Sequence, residues 1–266
     1  MKRRIASILP LSAAICLLTL LASTSTLAQR RTTSNTQTTT SKTKVPTTST
    51  TSAKTGTATT AKATTKAANS ANPGFMSQLE KEIIDEMNLA RAEPQAYAGF
   101  VEEYRKYYDG NRLTIPGRKK TLVTAEGVPA VDEAIRFLRS QKPLPPLAAA
   151  KGLYQAAKDH ARDLASKGLS GHRGSDGSMP DARVERYGNW EGSIGETVAY
   201  EVNTARLLVI ALIIDDGTPT RGHRRNIFDP NYKVAGVSIA ETPGSRAATC
   251  VVDYVGGFKE KSGAGN

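Results

Sequence analysis

The order of elements predicts an α+β domain rather than a βαβ repeat. Amphipathic helical patterns come first, one helix that is apolar nearly all round follows, and two strand-like runs joined by a tight turn close the chain. Helices followed by paired strands belong to segregated layers packed on one another. No internal repeat is present.

The elements follow in chain order. Lys2, Arg3 and Arg4 precede an apolar run over 5–21, and Thr26-Leu27-Ala28 sets a small residue before Gln29. This is the pattern of a secretory signal over 1–28. Ser7, Pro10 and Ser12 interrupt the run and argue against a membrane span, with an uncleaved anchor as the alternative. Residues 29–72 are mostly Thr, Ser, Ala and Lys, too poor in large apolar side chains to offset their ordering entropy, and read as a disordered linker. The folded domain is expected over 73–266.

Ser77 and Glu80 have capping-box spacing, and Leu79, Ile83, Met87 and Ala90 recur at helical intervals. Pro94 ends that helix, because the residue before a proline is disfavoured in helix. A second helix is expected over 95–107 and a loop over 109–127. Pro129 suits the first turn of a third helix. The clearest helix is 146–167, with Leu153, Ala156, Ala157, His160, Ala161 and Leu164 on one stripe and Gly168 at its C-cap. Residues 168–195 carry seven glycines and read as a long loop. A short strand over 197–201 and a central helix over 205–215, capped by Thr204, come next. Strands over 234–240 and 247–255, with Thr242-Pro243-Gly244-Ser245 between them, form an antiparallel hairpin.

The 266 residues carry a formal net charge of +11. Residues 1–72 hold ten Lys and Arg and no acid, so 73–266 keeps 26 basic and 25 acidic side chains. The nearly neutral domain gives no electrostatic reason to bind nucleic acid. Cys16 lies in the expected signal, which leaves Cys250 alone in a strand-like run as a buried, inert thiol.

All three histidines fall within one stretch. His160 lies on a buried helical face and reads as a core-edge residue. His172 and His223 sit in Gly-containing loops beside charged residues, with Glu196 and Asp215-Asp216 between them in sequence. Two neutral imidazoles and carboxylates can hold Zn²⁺, or a His–acid pair can serve as general base and acid. The bland alternative is that they hydrogen-bond one another and order their loops. Glu196 has Arg183 and Arg186 as rival ion-pair partners, Arg224 and Arg225 are expected to pair with Asp215 and Asp216, and Tyr187 and Trp190 line either a groove or the core.

Gly171-His172, then Gly174-Ser175-Asp176-Gly177, Arg183, Tyr187-Gly188, Gly195-Glu196, and Gly222-His223-Arg224-Arg225-Asn226-Ile227 with Pro230 and Gly236, resemble the bacterial branch of the CAP superfamily. Asn88-Leu89-Ala90-Arg91 resembles that family's first helix. The resemblance covers about 78–258 and implies a three-layer α-β-α sandwich with a central antiparallel sheet and a large cleft. Carried over, the family's cleft residues fall on His172, Glu196 and His223, with Asp215 in place of a second Glu and Asp216 as its neighbour. Residues 97–145 read as an insertion. The resemblance implies a secreted, periplasmic or envelope scaffold that binds a lipid, glycan or protein. A Zn²⁺-dependent peptidase or esterase using the same cleft is one alternative, and an envelope structural protein is the other.

Overall fold

A computed structural model describes residues 72–202, 204–244 and 248–261. The expected signal over 1–28 and nearly all of the expected linker over 29–72 lie outside the described residues. The chain forms α1 (Gln78–Ala92), α2 (Pro94–Arg105), β1 (Tyr108–Asp109), β2 (Arg112–Leu113), β3 (Leu122–Val123), α3 (Val128–Ser140), β4 (Ala148–Ala149) and α4 (Lys151–Lys167). There follow α5 (Pro180–Val184), β5 (Gly188–Tyr200), α6 (Ala205–Ile214), α7 (Gly222–Phe228), β6 (Val234–Glu241) and β7 (Ala248–Glu260).

The caps expected from sequence are formed. The Ser77 hydroxyl accepts from the Glu80 backbone N–H, and the Glu80 carboxylate accepts from the Ser77 N–H at 2.7 Å. The second Glu80 oxygen accepts from the Ile239 N–H at 2.9 Å, so the same side chain ties α1 to β6. Gly168 closes α4 in the left-handed conformation at φ 62°. Thr204 caps α6 by accepting from the Leu207 N–H.

The main sheet has the order β4-β6-β7-β5. β6–β7 and β7–β5 are antiparallel, as the hairpin reading expected, while the two-residue β4 adds a parallel edge. β5 is therefore the other edge strand. Side chains alternate across it and its neighbours. Cys250, Val252 and Tyr254 pack into the large core with α1, α3 and α6, whereas Val198, Val251 and Val255 pack towards α4. The result is an α-β-α sandwich. A Cβ at Gly236 would come within 2.2 Å of the Leu153 backbone, so this glycine is what lets α4 lie close on β6.

Four readings are corrected. The 109–127 region is a small antiparallel sheet, β1-β2-β3, not a bare loop. Residues 146–150 are extended, because Ala148 and Ala149 pair with β6 and start α4 at Lys151. The 168–195 stretch holds α5 and more than half of β5. Gly188 and Gly195 lie in that strand because Cβ atoms there would meet the Phe258 ring and the Tyr232 hydroxyl at 2.2 and 2.3 Å. His223 stands not in a loop but in the first turn of α7.

Candidate functional site

The site is built around edge strand β5 from two His–carboxylate pairs. The first lies on the α4 side. The Glu196 side chain is buried and takes the His172 ring at Nδ1 (2.8 Å to Oε1) and the Arg183 guanidinium at 2.6 Å to Oε2. Arg183, on α5, also donates to the backbone oxygens of His172 and Ser178, which fixes the loop that carries His172. His160 is buried as expected and bridges Nε2 to the Gly171 oxygen at 2.9 Å. Burial, the main cause, pulls the His160 pKa below its usual value, so this ring is neutral at pH 7.

Opposite Glu196 in the register stands Asp253, fully buried. No N–H donor reaches either of its oxygens. Burial, and next the charge of Glu196, push its pKa well above the usual carboxylate range. The protonated form of Asp253 is thereby favoured beside the Glu196 carboxylate, because two like charges so placed oppose joint ionisation. Nothing in the sequence reading singled it out. The available signal was a lone Asp inside the apolar run Cys250-Val251-Val252-Asp253-Tyr254-Val255.

The second pair lies on the other side of the edge strand. Asp215 ends α6 in the left-handed conformation at φ 53° and accepts from His223 twice, at the backbone N–H (2.9 Å) and at ring Nδ1 (2.8 Å). Burial pushes the Asp215 pKa upward, but the His223 bonds outweigh it and hold the group below its ordinary value. Asn226, one turn after His223, donates to the Glu196 backbone oxygen at 3.0 Å and to the Thr197 hydroxyl, which seats α7 on β5.

The predicted partners of Asp216 and Arg224 are corrected. Asp216 accepts from the backbone N–H groups of Ala125, Glu126 and Gly127. Arg224 pairs with Glu133 and donates to the oxygens of Ile213 and Ile214. Each acid has stronger local donors than the neighbouring arginines could supply. Arg221, itself left-handed at φ 49°, forks onto Glu126 at 2.6 Å per bond and reaches Glu133 and the Asp215 backbone oxygen. Tyr187 and Trp190 are partly buried against the core under α4, with the Tyr187 hydroxyl on Asp159.

All four residues carried over for the cleft are thus placed, as two pairs. Each pair leaves one ring nitrogen, Nε2, without a protein partner among the described residues. Both carboxylates are already engaged by ring, guanidinium or backbone donors. No group of three or more His, Cys, Asp and Glu that could hold a metal ion is found among the described residues. As arranged, this donor set does not fit Zn²⁺, which takes three or four protein ligands.

An open cavity of about 450 Å³ runs beside the second pair. Its walls are mainly apolar, from Leu113, Ile115, Leu122, Leu207, Leu208 and Leu212, and His223 and Asp215 also line it. Cys250 lies away from it, fully buried, with its thiol pushed up to about 12 by burial.

The geometry of the first pair has a measurable consequence. The bond to Glu196 raises the His172 pKa above the ordinary ~6.5. A raised His pKa contributes stability that is fully present below ~6.5 and lost as pH rises through the folded-state value. Proton NMR should show the His172 ring titrating above ~6.5 in the wild type and falling back in Glu196→Gln. Identical midpoints in both proteins would refute the pairing.

Residues 133–254 match the model of the cysteine-rich secretory protein family, CAP. No match was found among curated proteins. Three solved structures share part of the chain. An extracellular protein containing an SCP domain from Bacillus anthracis is 16% identical, with 42% of this chain and 34% of that one covered at a TM-score of 0.35. An outer surface protein from Borrelia burgdorferi is 20% identical over 44% of this chain and 80% of that one, at 0.37. A cysteine-rich secretory protein from Staphylococcus aureus is 13% identical over 49% and 38%, at 0.32. The match spans about a third of the first of these structures. Over residues 133–254 the chain carries a CAP domain, the domain of the cysteine-rich secretory protein family.

Proposed function

We propose that this CAP-domain protein is exported and acts as a ligand-binding module of the cell envelope or its surroundings. The observation that carries this reading is the open, largely apolar cavity of about 450 Å³ lined in part by the His223–Asp215 pair. That volume falls within the usual range of small-molecule sites. Among its lining residues there is no Ser or Cys to serve as a nucleophile. The basic start and apolar run of residues 1–21 support export, and no described helix is long and apolar enough to cross a membrane.

The reading is tested with the apolar dye anilinonaphthalene sulfonate and with p-nitrophenyl esters. Ala211 is exposed on α6 and lines the cavity, so Ala211→Trp fills the space without disturbing the core. The dye should bind one-to-one to the wild type and not to Ala211→Trp, and ester turnover should be absent. Turnover that disappears in His223→Ala or on chelation would overturn the non-catalytic reading in favour of a hydrolase.

A further inference from the structure

Strand β5 is an edge of the main sheet, and its last residues open onto the cavity. Val198, Ala199 and Tyr200 all line that space. Val198 nevertheless packs its side chain towards α4, on the face of the sheet away from α6. Tyr200 turns the same way, and its hydroxyl accepts from the Gly171 N–H just beyond the end of α4. What these two residues offer a cavity walled by α6 is therefore their main chain, at the strand edge.

Two bonds fix the direction of that main chain. In an antiparallel pair, successive residues turn their N–H and C=O groups alternately towards the partner strand and away from it. The β5–β7 register runs without a break from Ile194 to Tyr200. One residue further on, the Glu201 N–H donates to the Ala248 oxygen at 3.0 Å, so Thr197 and Ala199 also face β7. The Glu196 oxygen instead accepts from the Asn226 side chain at 3.0 Å, from outside the sheet. Val198 and Tyr200 share the outward direction of Glu196, and among the described residues neither has a main-chain partner there. Val198 is buried, and main-chain donors and acceptors in such a place need partners.

We infer that the edge at Val198 and Tyr200 binds a short extended peptide, which adds a fifth, antiparallel strand to the sheet beside the cavity. This rests on the ligand-binding reading above and names the class of ligand. The main chain of such a peptide carries donor and acceptor pairs at the same two-residue repeat of about 7 Å. The open ladder is short. Asn226 occupies it at Glu196, and Glu201 leaves the extended conformation at φ 59°. A buried Val198 and so short a ladder suit one slender segment, not a second copy of the domain. Paired residues share a face of the sheet, so the peptide residue opposite Ala199 points to the side of Cys250 and α6. Leu207, Leu208 and Leu212 line the cavity there, so that residue is apolar.

The test follows amide signals and their hydrogen exchange by NMR in the whole chain, with the pentapeptide acetyl-Thr-Thr-Leu-Thr-Thr-amide as probe. In the free protein the Val198 and Tyr200 amides should exchange fast and those of Thr197 and Ala199 slowly. The peptide should bind one-to-one and slow exchange at Val198 and Tyr200. N-methylation of its second or fourth residue, whose N–H faces the edge, should weaken binding about tenfold. N-methylation of the leucine, whose N–H faces away, should leave the affinity unchanged. Serine in place of leucine should cost about tenfold. Equal effects of methylation at all three positions, or no binding at millimolar peptide, would overturn the strand pairing. Slow exchange at Val198 and Tyr200 without peptide would overturn it as well: lost on dilution, it assigns the edge to a second copy, and kept at every dilution, to the chain itself. If the dye still binds one-to-one when the peptide does not, the binding-module reading stands and this inference alone fails. Failure of both the dye and the peptide sinks the two together.

Discussion

Arg183→Met should lower folding stability by about 3–5 kcal/mol, the cost of leaving a buried partner charge uncompensated. Both members of the Arg183–Glu196 pair have side chains only 2% and 1% exposed, and their contact is 2.6 Å. Methionine fills similar space without the charge, so the loss reads the electrostatics more than a cavity. The guanidinium also donates to the backbone oxygens of His172 and Ser178, and those acceptors lose their donor. Urea unfolding at pH 7 measures the change. The double variant Arg183→Met/Glu196→Leu should recover much of it, because replacing a whole buried pair by apolar groups is often close to neutral. A single variant within about 0.5 kcal/mol of wild type would contradict the pair's role.

The neighbouring acid gives that experiment its sign. Burial and the neighbouring Glu196 favour the protonated form of Asp253, so the two acids together present less than two negative charges to the Arg183 guanidinium. Remove the arginine and the remaining charge sits beside a protonated acid and the His172 ring. His172 then becomes the nearest source of compensating charge. Its protonation should be favoured further, and the stability deficit of Arg183→Met should shrink as pH falls towards 6.

The helical layers were legible because their signals are local. Ser77 with Glu80, Pro94, Pro129, Gly168 and Thr204 each mark a helix end through one side chain or one backbone restriction, and each stands where it was expected. The hairpin of β6 and β7 was legible from two alternating runs and a turn. α7 was not, because its start lacks a capping side chain. Arg221 occupies the cap in a left-handed conformation held by distant acids. β5 was mostly hidden because Gly188 and Gly195 look like loop residues, whereas they are there for close packing against Phe258 and Tyr232. At the site, His172, Glu196, Asp215 and His223 were nameable from motifs, and Arg183 as the partner of Glu196 was one of two candidates. What the motifs did not reveal was pairing across long separations: Asp253 with Glu196, and Asp216 with residues 125–127.

That last contact leads to the second large expected effect. Arg221→Ala should destabilise the fold by about 2–4 kcal/mol and should disturb His223 far more than His172. The α6–α7 turn holds two non-glycine residues in left-handed conformations, Asp215 and Arg221, each an unfavourable geometry that persists only when its surroundings enforce it. The enforcement comes from the segment that leads into α3 and from α3 itself. Asp216 receives three consecutive N–H groups from residues 125–127, and the Glu126 carboxylate accepts from the Gly217 N–H. Arg221 joins Glu126 and Glu133 to the backbone oxygens of Asp215 and Thr218. Without the guanidinium, Glu126 and Glu133 face each other with less positive charge between them, and the turn carrying Asp215 loses its main restraint. The Nδ1 bond of His223 should then weaken while that of His172, across the edge strand, stays intact. Proton NMR of the two ring signals separates the cases: a moved His223 signal beside an unmoved His172 signal supports a clamp on this pair. Equal movement of both would mean general loosening of the domain, and movement of neither would mean that the turn holds its shape without the Arg221 clamp.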